Sequence, residues 1–354
     1  MVSRSNHSEL IYDALTLPPP STLRQAQGER AYVRLTDQYW QDERKGSTLR
    51  LRSRQAGRMS EPRQVDGGMM FECNIDGVSF RLKEQRELSF LSKYGKVFCA
   101  FDENDSGNIS FGLEKNGSKY FIKVAGLPTT NAVRNPGEAV SALRKAIPVY
   151  NDLKHPVLIE LVEHAPLDDL YLAVFKWADG ECLFDHWNFA KRPMYTHPQS
   201  PHNRYKQLSI EKRAKAFETI RSFFKLVVQK GYVAIDFYDG SIMYDFENDI
   251  TTICDIDYFS RAPHINTMGR MWGSSRFMSP EEHELNANID EITNVFTLGA
   301  ISFLVFGDAR DHSFEKWNAN KELFDVAVKA TSPDRNRRYQ SIKEFCQAWD
   351  DARI

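Results

Sequence analysis

The order of secondary-structure signals along the chain constrains its fold more than any other feature. Lys96–Phe101, Ile109–Leu113 and Lys119–Ala125 are short segments rich in strand-forming residues. Two turn clusters separate them, Asp102–Asn108 and Lys115–Gly117. Strands joined by short polar turns form an antiparallel meander, and we expect one here.

A helical pattern follows the meander, and two further strands follow that helix. Apolar residues recur with helical spacing in Ala139–Leu153, and strands are predicted at Leu158–Glu163 and Tyr171–Trp177. Helical patterns dominate after Gly180, at Ile210–Lys230, Asn294–Phe306, Trp317–Ala330 and Ser341–Ala352. This order predicts an α+β fold with a small antiparallel sheet in an N-terminal lobe, a mainly helical C-terminal lobe and a cleft between them.

The first 68 residues differ in composition from the rest of the chain. The chain has 23 phenylalanines, but none precedes Phe71, and Arg outnumbers Lys ten to one up to Gly68. Such a segment buries too little apolar surface to offset its chain entropy. We therefore expect residues 1–68 to be disordered, or an extension ahead of a start at Met69 or Met70. A basic arm that contacts nucleic acid or lipid is the alternative. The folded domain is predicted at 69–354, with lobes of about 69–178 and 179–354.

Composition argues against several partners and compartments. The net charge of −2 gives no overall attraction to nucleic acid. The longest apolar stretch, Val295–Phe306, is too short to span a bilayer, so no membrane partner is expected. The five cysteines are an odd number without a C-x-x-C pair, which favours reduced thiols in the cytoplasm.

Three segments carry candidate chemistry. Lys123 interrupts an apolar strand, where it is either a surface lysine or a cation that reaches phosphate oxygens. Asp236 lies among apolar residues, as a turn acid or a functional one, and Ser241 follows five residues later. Asp255 and Asp257 end another apolar strand, and two carboxylates beside a phosphate site suit Mg²⁺.

In this order and spacing, the region from Glu87 to Trp349 resembles the eukaryotic-type protein kinase family, as found in bacterial Ser/Thr kinases. The resemblance implies that Lys123 holds phosphates and that Asp236 orients the attacking hydroxyl. It also implies metal binding by Ser241 and Asp255. Asp257 stands where the family has a glycine, and we expect it to be a further ligand.

The same resemblance assigns the nucleotide contacts and a structural pair. Glu281, in Ser279-Pro280-Glu281, is expected to pair with Arg338, with Arg337 as the serious alternative and Arg335 as another. Asn294 takes the place of an acid that braces the catalytic loop. The residues implied in nucleotide binding are Ser106, Gly107, Asn108 and Gly112 in a phosphate loop, Lys123, Lys176 and Ala178 at a hinge after Phe175, and Glu181 near the ribose.

The chain departs from the family pattern at several positions. Ala234-Ile235 replaces His-Arg before Asp236, and Tyr238 replaces a lysine that contacts the transferred phosphoryl group. The helix glutamate that pairs with the strand lysine has no clear counterpart: counting back from His155 reaches Ala146, and Glu138 lies two turns away.

The resemblance implies a Ser/Thr protein kinase that uses ATP with Mg²⁺ or Mn²⁺ and acts on a protein substrate. A pseudokinase that binds nucleotide or a partner, and a small-molecule kinase, are the alternatives. Neither a P-loop, nor a Rossmann glycine motif, nor G-x-S-x-G occurs, and no histidine pair suggests zinc. Lys191–Gln207 is predicted as a surface insertion, with a substrate role as the alternative.

Overall fold

The computed structural model describes residues 63–65, 68–104, 106–186, 188–189 and 191–352, all within one unit, Met59–Ile354. Residues 1–62, which hold most of the predicted N-terminal segment, lie outside this part of the chain. The strands are β1 Arg63–Val65, β2 Gly68–Ile75, β3 Val78–Leu82, β4 Lys96–Phe101, β5 Asn108–Lys115, β6 Ser118–Ala125, β7 Leu161–Leu167, β8 Leu170–Lys176, β9 Glu181–Cys182, β10 Tyr232–Val233, β11 Ile242–Asp245, β12 Ile250–Ile253, β13 Ser260–Arg261, β14 His264–Ile265 and β15 Asn288–Ile289. The α-helices are α1 Pro136–Asp152, α2 Lys191–Thr196, α3 Pro201–Lys206, α4 Ile210–Gln229, α5 Glu291–Phe306, α6 Lys321–Ala330 and α7 Ile342–Asp351.

The predicted meander is confirmed as the start of a five-stranded antiparallel sheet. Its strand order is β4-β5-β6-β8-β7, so β6 pairs with both β5 and β8. Lys123 therefore lies in the central strand, opposite Ser110 on one side and Ala173 on the other.

The two faces of this sheet pack against different partners because side chains alternate along a strand. Ile122 and Val124 of β6 join a cluster with Phe80 and Leu82 of β3. Ala173 and Phe175 of β8 belong instead to the larger cluster that contains the buried face of α1. Lys123 alternates with Ile122 and Val124 and so points to the α1 side.

The hairpin formed by β2 and β3 was not predicted, although the sequence carries its signal. Asp76-Gly77 separates the strands, and both residues have positive φ, 54° and 92°. This turn suits an Asp-Gly pair because glycine adopts the left-handed region without steric cost.

Helix α1 begins at Pro136, three residues earlier than predicted, and Glu138 takes part in its N-terminal cap. The side chain of Asn135 accepts a hydrogen bond from the Glu138 N–H, and Glu138 accepts one from the Asn135 N–H. This reciprocal cap occupies Glu138 at the start of the helix. Glu138 is therefore not the helix acid that pairs with Lys123.

Two predicted elements begin later than expected because their first residues bond elsewhere. Ile159 N–H donates to Ile253 O at 2.8 Å, so the chain before β7 pairs with β12, and β7 starts at Leu161 instead of Leu158. Helix α6 starts at Lys321 instead of Trp317 because the Asn320 side chain caps it by accepting from the Leu323 N–H.

The remaining helices build the second half of the described chain. Trp349 of α7 lies in the large core with Phe217 of α4 and Phe306 of α5, at ring distances of 4.6 and 5.5 Å. The predicted insertion contains two short helices, α2 and α3. A mixed fold with small antiparallel sheets and several helices agrees with the predicted α+β class.

Candidate active site

Lys123 directly contacts two other predicted site residues, Asp255 and Asp257. Its Nζ lies 2.5 Å from Asp255 Oδ1 and 2.8 Å from Asp257 Oδ2, although both acids are more than 130 residues away in sequence. Both acids follow β12, while Lys123 comes from β6 of the larger sheet. The structure thus brings three predicted site residues into direct contact.

The two carboxylates differ in exposure and in their other partners. The side chain of Asp255 is 51% exposed, whereas those of Asp257 and Lys123 are 12% and 11% exposed. Asp257 Oδ1 accepts a hydrogen bond from Tyr150 Oη at 2.6 Å, so donors occupy both of its oxygens. Tyr150 comes from α1, one turn beyond Ala146.

These contacts set the protonation states of the group. Burial lowers the pKa of Lys123, but the charges of Asp255 and Asp257 outweigh it and hold this pKa well above its ordinary value. Burial and the nearby Asp257 charge raise the pKa of Tyr150 well above its ordinary value. Lys123 therefore stays charged, and Tyr150 stays a hydrogen-bond donor at neutral pH.

Asp236 lies in a loop that buried groups hold in place. Its φ is +64°, and that of Asp255 is +54°, a backbone region that only specific surroundings maintain in residues other than glycine. Ser241 Oγ donates to Asp236 O at 3.4 Å. Asn294 of α5 accepts from Ala234 N–H at 2.8 Å and donates to Tyr232 O at 3.0 Å, so its amide braces this loop.

The loop between β4 and β5 contains the predicted phosphate-binding residues. Gly107 has a φ of +82°, and a Cβ there would lie 3.0 Å from the Cβ of Ala139, so the turn needs glycine. Ser106 Oγ accepts from Asn108 N–H at 3.4 Å. Asn108 is buried, and its Oδ1 has no hydrogen-bond partner among the described residues.

Gly112, predicted with this loop, lies within β5 and is required by packing. A Cβ at Gly112 would come within 2.5 Å of Cys99 Sγ and within 2.7 Å of the Phe98 ring. The close approach of Phe98 explains this glycine without any role in phosphate binding.

The predicted hinge residues make surface contacts. Lys176 Nζ lies 2.6 Å from Glu160, with both side chains about 60% exposed. Glu181 lies 2.6 Å from Arg204 Nη1. The described contacts of Lys176 and Glu181 thus do not reach Lys123 or its acids. Ala178 follows β8 in the connection that leads to β9.

The predicted pair of Glu281 and Arg338 is present and buried. Arg338 Nη1 and Nη2 donate to Glu281 Oε1 and Oε2 at 2.7 and 2.9 Å. Arg335 Nη1 also donates to Glu281 Oε1 at 2.7 Å. Arg337, the favoured alternative, is 81% exposed and lies near Asp334, so that alternative was wrong and Arg335 is the second partner. The short 3₁₀ turn Arg335–Arg337 directs Arg337 to solvent.

Three contacts near the site were not predicted. Tyr150 was not predicted, because the resemblance implies a glutamate on α1 and not a tyrosine. Arg276 makes a bidentate ion pair with Asp239, at 2.6 and 2.8 Å, and the Asp239 side chain is fully buried. Arg134 Nη1 donates to Tyr258 Oη at 2.7 Å. The residue types of these long-range pairs carried no pattern that a single sequence reveals.

Of the three predicted metal ligands, Asp255 is the most exposed. Among the described residues, no three or more His, Cys, Asp or Glu side chains form a metal-binding group. Asp255 and Asp257 both bind Lys123, Asp257 also accepts a hydrogen bond from Tyr150, and Ser241 Oγ donates to the Asp236 carbonyl. Magnesium at phosphate sites takes only one or two carboxylates together with phosphates, so a half-exposed Asp255 fits this ion.

Tyr238 follows Asp236 by two residues and lies against Phe184 and Gly240. Its ring packs edge-on against Phe184, with centroids 5.9 Å apart, and the ring leaves no room for a Cβ at Gly240. Burial and the charges of Asp236 and Asp255 raise the pKa of Tyr238 well above its ordinary value. A neutral phenol therefore stands beside the acids.

Comparisons with known proteins do not assign this chain to a family. No helix in the described part of the chain combines the length and apolar character needed to cross a membrane. No protein-family model matches the chain, and no characterised protein matches it at a significant level.

Proposed function

We propose that this protein is an ATP-dependent phosphotransferase with a two-lobed, protein-kinase-like architecture. It transfers the γ-phosphate of ATP to a Ser or Thr hydroxyl of a protein. The observation that carries the proposal is the contact of Lys123 with Asp255 and Asp257, which joins the central strand of the β-sheet half to the end of β12. A cation beside two acids at such a junction suits phosphate and metal together.

Each residue of the group has a distinct chemical task. Lys123 supplies the positive charge that holds nucleotide phosphates, and Asp255 holds Mg²⁺ or Mn²⁺, which neutralises phosphate charge when bound. Asp236 accepts the proton of the attacking hydroxyl and orients it. Positioning and electrostatic stabilisation dominate such catalysis, which favours a rigidly held group of this kind.

The rigidity of the Asp236 loop supports this assignment. Asn294 holds the backbone of Tyr232 and Ala234 from α5, and the buried ion pair between Arg276 and Asp239 ties the loop to the segment at residues 273–278. The backbone that carries Asp236 is thus held from two sides.

The segment around Ser279-Pro280-Glu281 supports a protein as the acceptor. Arg338 and Arg335 hold Glu281, and Asn266 donates to the backbone carbonyls of Glu281 and Glu282 at 3.3 and 3.2 Å. A backbone fixed in this way suits the docking of an extended peptide. In a small-molecule kinase, such a platform would have no evident use.

Tyr238 favours a second candidate, a pseudokinase that binds nucleotide without transfer. A neutral phenol replaces the cation that would stabilise the transferred phosphoryl group. The two functions share the same nucleotide site and differ only in turnover.

The test is phosphate transfer from labelled ATP with Mg²⁺ or Mn²⁺, to the protein itself and to a mixture of Ser- and Thr-containing proteins. We expect transfer, and we expect Asp236→Asn to lower its rate at least about 100-fold while ATP binding persists. Asp351→Asn, at the exposed end of α7, is the matched control and should be fully active. ATP binding without transfer by the wild type would favour the pseudokinase, and unchanged transfer by Asp236→Asn would exclude the role of Asp236.

A further inference from the structure

We propose that Asp257, held by Tyr150, is the permanent counter-ion that positions Lys123, and that Asp255 alone serves the metal. This inference rests on the proposed function, because it concerns how the same site divides its charges between lysine and metal. It replaces the expectation that Asp257 is a metal ligand.

The hydrogen bonds of Asp257 carry the argument. Lys123 Nζ binds Oδ2 at 2.8 Å, and Tyr150 Oη donates to Oδ1 at 2.6 Å. Ile256 N–H in turn donates to Tyr150 Oη at 3.2 Å, which fixes the phenol against the same loop. A metal ion at Asp257 would therefore share its oxygens with two buried donors, and it would lie close to the Lys123 ammonium, whose positive charge repels it.

The surroundings make this arrangement rigid. Tyr150 is 2% exposed, and its ring packs edge-on against Phe175 at 4.9 Å. The Asp257 and Lys123 side chains are nearly as buried. Asp255 differs, because half of its side chain is exposed and it can turn toward an incoming ion.

The charges explain why two acids are needed. When Asp255 turns to the metal, Lys123 keeps Asp257, so the ammonium remains paired and in place for phosphate oxygens. Without Asp257, the same movement would leave a buried cation with no carboxylate. Helix α1 offers no acid for this purpose, since Glu138 caps its start and Asp152 at its end binds Tyr232 and Arg261.

Calorimetric ATP binding, in EDTA and during a Mg²⁺ titration, separates the two acids. We expect Asp257→Asn to weaken metal-free ATP binding about tenfold or more and to leave the Mg²⁺ midpoint unchanged. Asp255→Asn should raise the Mg²⁺ midpoint and keep metal-free affinity within about twofold.

Tyr150→Phe provides a milder variant in case Asp257→Asn does not fold. It should weaken metal-free ATP binding by about fivefold, the effect of one lost hydrogen bond. Tyr171→Phe is the matched control, because it removes a buried hydroxyl that bonds His164 instead, and it should have no effect on ATP binding.

The outcomes distinguish the two proposals. If the wild type binds ATP and Asp257→Asn shifts the Mg²⁺ midpoint while sparing metal-free affinity, the division of roles is wrong and Asp257 is a metal ligand. If Tyr150→Phe and Tyr171→Phe behave alike, Tyr150 does not position the group. If the folded wild type binds no ATP in either condition, the proposed function fails, and the inference fails with it.

Discussion

Single residues show how this chain accommodates buried charge. Glu281 and Arg338 are both almost fully buried and bind each other through two parallel hydrogen bonds. Burial raises the pKa of Glu281, but Arg338 outweighs burial and lowers this pKa below its ordinary value. A charge in such a place is tolerated only because its partner is present.

A double-mutant cycle measures this dependence. Glu281→Ala should destabilise the protein by about 3–5 kcal/mol, because it leaves Arg338 buried without a carboxylate. Arg338→Ala should cost less, because Arg335 still binds Glu281 Oε1. The double variant should cost less than the sum of the two. The measurement is the free energy of unfolding in urea.

Arg337→Ala is the control, because this side chain is 81% exposed, and it should change stability by less than about 0.5 kcal/mol. A coupling energy between Glu281 and Arg338 below about 0.5 kcal/mol would contradict the structural role of the pair.

At the scale of elements, capping hydrogen bonds fix the residue at which a helix begins. One such cap also places a titratable group in the protein interior. The 3₁₀ helix Pro280–His283 begins with a capping box in which Glu282 Oε2 accepts from Ser279 N–H at 2.7 Å and from Ser279 Oγ at 2.9 Å. Burial raises the pKa of Glu282 from 4.5 to about 7, and these hydrogen bonds only partly oppose it.

This cap predicts a pH dependence. Folded Glu282 keeps its proton up to a pH of about 7, whereas the unfolded chain releases it near 4.5, so stability falls as pH rises through this range. Glu282→Gln should remove the loss and stabilise the protein at pH 8 by roughly 3 kcal/mol relative to wild type.

Unfolding free energies at pH 5 and pH 8 test this prediction. Glu284→Gln, at the exposed neighbouring position, should keep the pH dependence of the wild type. An equal pH dependence in wild type and Glu282→Gln would show that Glu282 is not the group responsible.

At the scale of the whole molecule, the two largest buried clusters of the described residues pack on opposite faces of the five-stranded sheet. The larger joins α1 to the helices of the second half, and the smaller covers the opposite face of the five-stranded sheet. The hairpin β2–β3 belongs to the smaller cluster through Phe80 and Leu82, and Phe80 meets Phe111 edge-on at 5.2 Å.

Two truncations test the contribution of the N-terminal segments. Deletion of residues 1–62 should leave the melting temperature unchanged, because their composition offers little to bury. Deletion of residues 1–83 also removes Phe80 and Leu82 and should lower it by several degrees or more. Equal melting temperatures for the two truncations would mean that the hairpin contributes nothing to the core.

Secondary-structure elements with local sequence signals could be predicted from the amino-acid sequence. The alternation in Lys119–Ala125, the turn Asn116-Gly117 and the helical period after Gly180 depend on neighbours in the chain, so the meander and the main helices were predictable. The apolar segments around Lys123, Asp236 and Asp255 marked these residues as candidates, whereas the pairing of Glu281 with Arg338 was implied only by the resemblance to protein kinases.

The pairing of charged side chains, by contrast, depends on the tertiary structure. Asp257 binds Lys123 and Tyr150, Arg335 joins Glu281 in place of Arg337, and Arg276 neutralises Asp239. None of these contacts follows from local periodicity, because each joins segments that approach only after the sheet and the helices have packed. The energy of a buried charge depends on the groups around it in space, and those groups come from distant parts of the chain.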